Sequence, residues 1–280
     1  MCTLSWLYTG DELDLFFNRD ESLERLEAQP PAIDDDGGVS TLMPIDPVGG
    51  GTWLAANDRG LVVALLNNYH HPSRVPPGQA VSRGLLVKRL GKADGIAGVR
   101  KILSGEIMDR YPPFFLMAFP GEYTGPVKWE WDGETLKETW HLTGPALSTS
   151  SLMPSLVPLL RYYLINRALN RCSVEQSVPR LLSLHRNCRP WPSSVAVAMK
   201  RKGRATVSLS HVRVAPGRLT FRYWPGHPSE STSRNPFESH LDLPCSCSSE
   251  KESMVSDPSS VTNARQGCPC SNGPIVGPSP

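Results

Sequence analysis

The sequence predicts an α+β fold, on three observations. Short apolar strands punctuated by glycine turns fill the first seventy residues; helical periodicity then appears in two separate blocks; and a last set of strands closes the ordered region. The first strand is Thr3–Tyr8, turned at Gly10-Asp11-Glu12 into Leu13–Phe17. A loop rich in Asp, Gly and Pro follows around Gln29–Gly38. Gly49-Gly50-Gly51 leads into a strand that ends at Asn57, and Asp58-Arg59-Gly60 turns it into Leu61–Leu66. That last run is continuously apolar, the pattern of a strand covered on both faces.

Apolar residues at helical spacing over Arg83–Ser104 indicate one helix, or two joined at Gly91–Gly95, ended by Tyr111-Pro112-Pro113. Strands are expected at Phe114–Ala118, Val127–Trp131 and Glu138–Leu142, then a Ser/Thr-rich turn. Helices are expected at Leu156–Arg171 and Val174–His185, and strands at Val195–Lys200, Thr206–Arg213 and Arg218–Trp224. These elements make one domain over residues 1–228. After Pro228 the chain is dominated by Ser, Pro and short polar runs, so residues 229–280 are expected to be a disordered tail.

Composition narrows the function. Twenty-nine Lys and Arg face 27 Asp and Glu, a balance that argues against a nucleic-acid partner. No run approaches the roughly 20 apolar residues of a membrane span. Neither a basic n-region nor an apolar h-region opens the chain, so the expected location is cytoplasmic. Cys2, Cys172 and Cys188 are scattered, as reduced thiols are; Cys245-Ser246-Cys247 and Cys268-Pro269-Cys270 lack the spacing of structural zinc sites. No metal and no cofactor is expected. Gly49-Gly50-Gly51 is not followed by a phosphate-loop lysine, His70-His71 point opposite ways on an extended chain, and no G-x-S-x-G occurs. Lys200–Arg204 reads as a basic hairpin tip.

The informative residue is Cys2. A small residue after Met1 permits removal of the methionine, which would leave a thiol and a free α-amine on one residue. That amine titrates at roughly 7.7–8.0, so it can serve as the base for its own nucleophile. A thiolate also needs a neighbouring cation and a carboxylate to hold it. Arg19 and Asp20 or Glu21 supply them at the end of the first hairpin. Asn67 or Asn68, where the buried strand emerges, can donate to an oxyanion.

Met1-Cys2, Asn18-Arg19-Asp20-Glu21, Gly50-Gly51-Thr52-Trp53-Leu54, Asn57-x-x-Gly60 and Leu66-Asn67 occur here in the order seen in the NRDE family, also called the transport and Golgi organisation 2 family. Ser82-Arg83-Gly84, Phe114–Phe119, Ser150-Ser151-Leu152 and Ala205–Ser208 continue the resemblance to about Pro228. The family in turn resembles cysteine N-terminal nucleophile hydrolases such as choloylglycine hydrolase and penicillin V acylase. The resemblance implies a four-layer αββα sandwich and assigns roles residue by residue. Cys2 matches the nucleophile, Arg19 the arginine beside it, and Asp20 (then Glu21) the carboxylate that orients the amine. Asn67 matches the oxyanion-hole asparagine. Ser150 stands where a second asparagine is expected, and Arg204 is the nearest match to a closing arginine. The implied function is hydrolysis of a non-peptide amide or thioester in a small-molecule acyl substrate. The other reading is a non-catalytic protein that handles haem or lipid on the same fold.

Overall fold

The computed structural model describes residues 2–76, 78–121, 125–140, 142, 144–189, 192–230 and 235–244. The chain divides into a compact unit over Met1–Pro244 and a second over Cys245–Pro280. The second unit, with the four tail cysteines and most of the expected disordered segment, lies outside the described residues.

In chain order the elements are β1 (Cys2–Thr9), β2 (Glu12–Ser22), β3 (Gln29–Asp34), β4 (Thr41–Ile45), β5 (Leu54–Asn57), β6 (Val62–Asn67), α1 (Arg83–Leu90), α2 (Ile96–Ser104), β7 (Phe114–Phe119), β8 (Val127–Trp131), β9 (Leu136–Thr139), β10 (Ala146–Thr149), α3 (Leu156–Leu169), α4 (Val174–His185), β11 (Lys200–Arg201), β12 (Arg204–Ala215), β13 (Arg218–Pro225) and β14 (Phe237–Asp242). They form two antiparallel sheets among the described residues. One runs β10-β1-β2-β12-β13-β14, with β11 on the edge of β12; the other runs β3 to β9 in sequence order.

The layers follow from side-chain alternation. Leu4 and Trp6 of β1 and Leu13, Leu15 and Phe17 of β2 point inward. They meet Leu42, Leu54, Ala56, Val62, Ala64, Leu66, Met117 and Phe119 of the second sheet. The outer face of that sheet is covered by Leu86, Val87 and Leu90 of α1 and Val99 and Leu103 of α2. The outer face of the first sheet packs Phe16, Leu209 and Trp224 against Ile165 of α3 and Leu181 of α4. The result is a four-layer αββα sandwich.

Four local expectations are corrected. The loop expected around Gln29–Gly38 begins with strand β3; its Pro30 and Pro31 are tolerated because β3 is an edge strand with a register shift between Gln29 and Ala32. The Ser/Thr-rich turn contains β10, which pairs Cys2 with Thr149. Val195–Lys200 is not a strand: Ser193–Val195 is a 3₁₀ turn and pairing begins only at Lys200. The disorder expected from residue 229 does not hold at Phe237–Asp242, where β14 pairs with β13 from Tyr223↔Phe237 to Arg218↔Asp242. That strand buries only Leu241 strongly, so its sequence carries little apolar pattern. The two open alternatives over Arg83–Ser104 resolve as two helices.

Candidate active site

Asn18-Arg19-Asp20-Glu21 lies inside β2 and not in a turn at its end, and this decides what each residue can do. Strand alternation sends Arg19 to the inner face, where it is the register partner of Cys2 across the β1–β2 ladder. Asn18 and Asp20 go to the outer face, under α3 and α4. Four consecutive polar residues thus serve two layers.

On the inner side, Cys2, Arg19, Asn67 and Arg204 line one cavity of about 370 Å³. Burial pushes the Cys2 thiol up; the amino terminus, the Asp20 backbone amide and the Arg19 guanidinium pull it back down, while the Asp20 carboxylate opposes them. Arg19 is fixed on three sides. Its Nη2 donates to Asp46 Oδ2 at 3.1 Å, lies 3.8 Å from Glu21 Oε2, and its guanidinium sits 4.2 Å above the Trp53 ring. Arg25 holds the same Asp46 oxygen at 2.6 Å. Burial alone would raise Asp46, yet the hydrogen bond from Arg25 and the charge of Arg19 hold its carboxyl below the usual range.

Asn67 closes β6, and its Nδ2 donates to the Tyr69 hydroxyl at 3.0 Å. Of the two adjacent asparagines it is the one in the cavity wall. Asn68 is buried elsewhere, its Oδ1 accepting from the His70 amide at 3.0 Å. Arg204 enters the wall as the first residue of β12. The wall is completed by the start of α1, carried to it by a backbone approach. Thr52 N donates to Gly84 O at 3.0 Å, and a Cβ on Gly51 would stand 2.3 Å from the Gly84 carbonyl carbon.

Asp20 also borders the cavity, but its carboxylate is held towards the other face through both oxygens. Thr206 Oγ1 donates to Oδ1 at 2.5 Å and Arg161 Nη1 to Oδ2 at 3.2 Å. Arg161 also donates from Nη1 to Thr3 Oγ1 at 2.8 Å and from Nε to the Val195 carbonyl at 3.3 Å. It escaped the sequence reading. The signal it left was a single charge in an otherwise apolar helical run, Leu156-Val157-Pro158-Leu159-Leu160-Arg161.

Ser150 is the one expected site residue that the cavity wall does not include. Its hydroxyl donates to the Leu152 carbonyl at 2.6 Å and accepts from the Leu152 amide at 3.1 Å, closing a turn after β10. Among the described residues no three of His, Cys, Asp and Glu come together as a metal site, and no helix is long and apolar enough to cross a membrane.

The chain is similar to a cysteine-to-alanine mutant of the conjugated bile acid hydrolase from Clostridium perfringens, at 14% identity over 87% of this chain and 92% of that one, with a TM-score of 0.47. It is similar to the N-acylethanolamine-hydrolyzing acid amidase (NAAA) ortholog of Caenorhabditis elegans, at 8% identity over 87% and 100%, with a TM-score of 0.45. No curated protein matches the chain by sequence. The model of the family Transport and Golgi organisation 2 matches residues 1–123, the span that contains Cys2, Arg19, Asp20 and Asn67. Over that span the chain is similar to the Transport and Golgi organisation 2 family.

Proposed function

We propose that this protein is a cysteine N-terminal nucleophile hydrolase that cleaves a non-peptide amide or thioester. The observation that carries the reading is the register pairing of Cys2 with Arg19 in the wall of a cavity that also contains Asn67. Removal of Met1 makes the Cys2 α-amine the base, with Asp20 and its Arg161 and Thr206 anchors beside it. The amine takes the thiol proton, and Cys2 Sγ bonds to the substrate carbonyl carbon. Asn67 Nδ2 turns from Tyr69 to the oxyanion. As the tetrahedral adduct collapses, the C–N or C–S bond breaks and the ammonium returns its proton to the leaving amine or thiol. Water then attacks the thioester carbonyl, the amine takes its proton, and the acid departs as Cys2 regains its thiol.

The test pairs a mass spectrum of the N-terminal peptide with turnover of an amide and thioester panel by wild type and Cys2→Ala. Loss of Met1, with turnover abolished in Cys2→Ala, supports the reading. Retention of Met1, or equal turnover by the two proteins, ends it.

A second reading, a binding protein for acyl lipid or haem, draws on two observations: Asn67 is engaged by Tyr69, and Ser150 is engaged in its own turn. Saturable binding of haem or a long-chain acyl-CoA by both wild type and Cys2→Ala, without turnover, would select it.

A further inference from the structure

The cavity holds more cationic charge than its own carboxylates neutralise. Arg19, Arg25, Arg83 and Arg204 line it, with Asp20, Glu21 and Asp46. Asp46 and Glu21 are engaged by Arg19 and Arg25, and Asp20 by Arg161. Arg83 and Arg204 are left with no carboxylate within 4 Å among the described residues; Arg83 Nη1 instead donates to the neutral Pro113 carbonyl at 2.9 Å.

Arg83 is also costly where it stands. It is the first residue of α1, where the helix dipole disfavours a cation, and the first turn contains no acidic residue to offset it. Burial pulls its pKa below the ordinary arginine value, with the Tyr69 hydroxyl, Cys2 and Glu21 opposing. A desolvated guanidinium at a helix start, facing a cavity without a carboxylate partner, lacks one thing: an anion.

We propose that Arg83, together with Arg204, recognises an oxyanion group on the molecule bound at Cys2, so that the substrate carries a carboxylate or phosphate-type group close to its scissile bond. This rests on the hydrolase reading for calling that molecule a substrate; the recognition of charge can be tested without turnover. The fork of a guanidinium matches two oxygens of a carboxylate or phosphate, which an ammonium matches less well.

The experiment alkylates the full chain with iodoacetate, which is anionic, and in parallel with neutral iodoacetamide. With both reagents Cys2 Sγ bonds to the methylene carbon, the C–I bond breaks, iodide leaves and the thiol proton passes to solvent. Rates are read by mass spectrometry of the Cys2 peptide, with Cys172 and Cys188 as internal references. The ratio of the two rates cancels any change in thiolate population. The expected result is an iodoacetate preference at Cys2 over the references that falls about tenfold in Arg83→Gln. Arg83→Lys should keep a substantial part of it, which separates charge recognition from misfolding. An iodoacetate preference at Cys2 that is unchanged in Arg83→Gln, or no greater than at Cys172 and Cys188, overturns the proposal. If the preference is present and depends on Arg83 but the wild type turns over nothing in the panel, the anion site stands and the hydrolase reading falls. Carboxylate and phosphate are then told apart by which of N-acylglycine and inorganic phosphate protects Cys2 from iodoacetamide.

Discussion

Arg161 Nη1 lies 3.2 Å from Asp20 Oδ2, and both side chains are sealed from solvent. The pair joins α3 to the strand that carries Arg19, so helix packing and the geometry around Cys2 are one structure. Among the described residues Arg161 Nη2 has no hydrogen-bond partner, which leaves the guanidinium only partly satisfied there. A buried pair of this kind is weak evidence for net stabilisation.

Removing one partner strands the other charge. Arg161→Met is expected to destabilise the protein by about 3–5 kcal/mol, whereas replacing both members with apolar residues should cost much less. Denaturant melts of Arg161→Met, Asp20→Leu and the double variant check this; equal losses in the single and double variants would show no coupling.

Asn67 and Tyr69 should separate in kinetics. If Asn67 stabilises the oxyanion, Asn67→Ala lowers kcat by roughly 10²–10³. Tyr69→Phe removes the hydroxyl that holds Asn67 Nδ2 at rest and should change kcat far less. A panel substrate turned over by wild type supplies the comparison, and a larger loss in Tyr69→Phe would reverse the assignment.

His185 makes stability fall in mild acid. Its Nδ1 lies 3.0 Å from Asn18 Oδ1 and its Nε2 lies 2.7 Å from Ser5 Oγ. The Asn18 amide nitrogen already donates to the His185 and Val197 carbonyls, so Oδ1 is the acceptor and the neutral ring carries its proton on Nδ1. Burial, with the charges of His211 and Arg161, pushes its pKa down to about 3. The unfolded chain protonates His185 near 6.5, as an ordinary histidine. Stability is therefore complete above that value and is lost as pH falls from about 6.5 towards about 3. Thermal melts between pH 7 and pH 5 should show a shallower slope in His185→Gln than in wild type.

Gly51→Ala tests how the cavity wall is held. The added Cβ would stand 2.3 Å and 2.6 Å from the Gly84 carbonyl carbon and oxygen, and 2.6 Å from Leu85 N, all backbone atoms that cannot swing aside. The start of α1 must shift, so the variant should lose stability by roughly 1–3 kcal/mol. It should also alter the alkylation rate of Cys2 without any change of charge in the cavity.

Much of the site was legible because a strand's alternation is local. Cys2 and Arg19 were identified by type and position, and Asn67 or Asn68 by its place at the end of a buried strand; the resemblance singled out Asn67 and supplied Arg204, and all four border one cavity. Ser150 was expected there on resemblance alone, and its hydroxyl closes a turn instead. Arg161 was not legible, because its role depends on a partner 141 residues away and a lone arginine in an apolar helix has many possible fates. Strands β3 and β14 were missed because both are edge strands, where one neighbour suffices and prolines and polar residues carry little penalty.

The amino-acid sequence by itself determined the α+β class, the two helical blocks, and Cys2 and Arg19 as candidate site residues, since period and turn chemistry act over a few residues. Tertiary structure decided which face each residue of Asn18-Arg19-Asp20-Glu21 serves, which asparagine enters the wall, and which arginines keep their charge uncompensated. Those outcomes depend on long-range packing of the two sheets and their helices, which brings together groups that no local pattern connects.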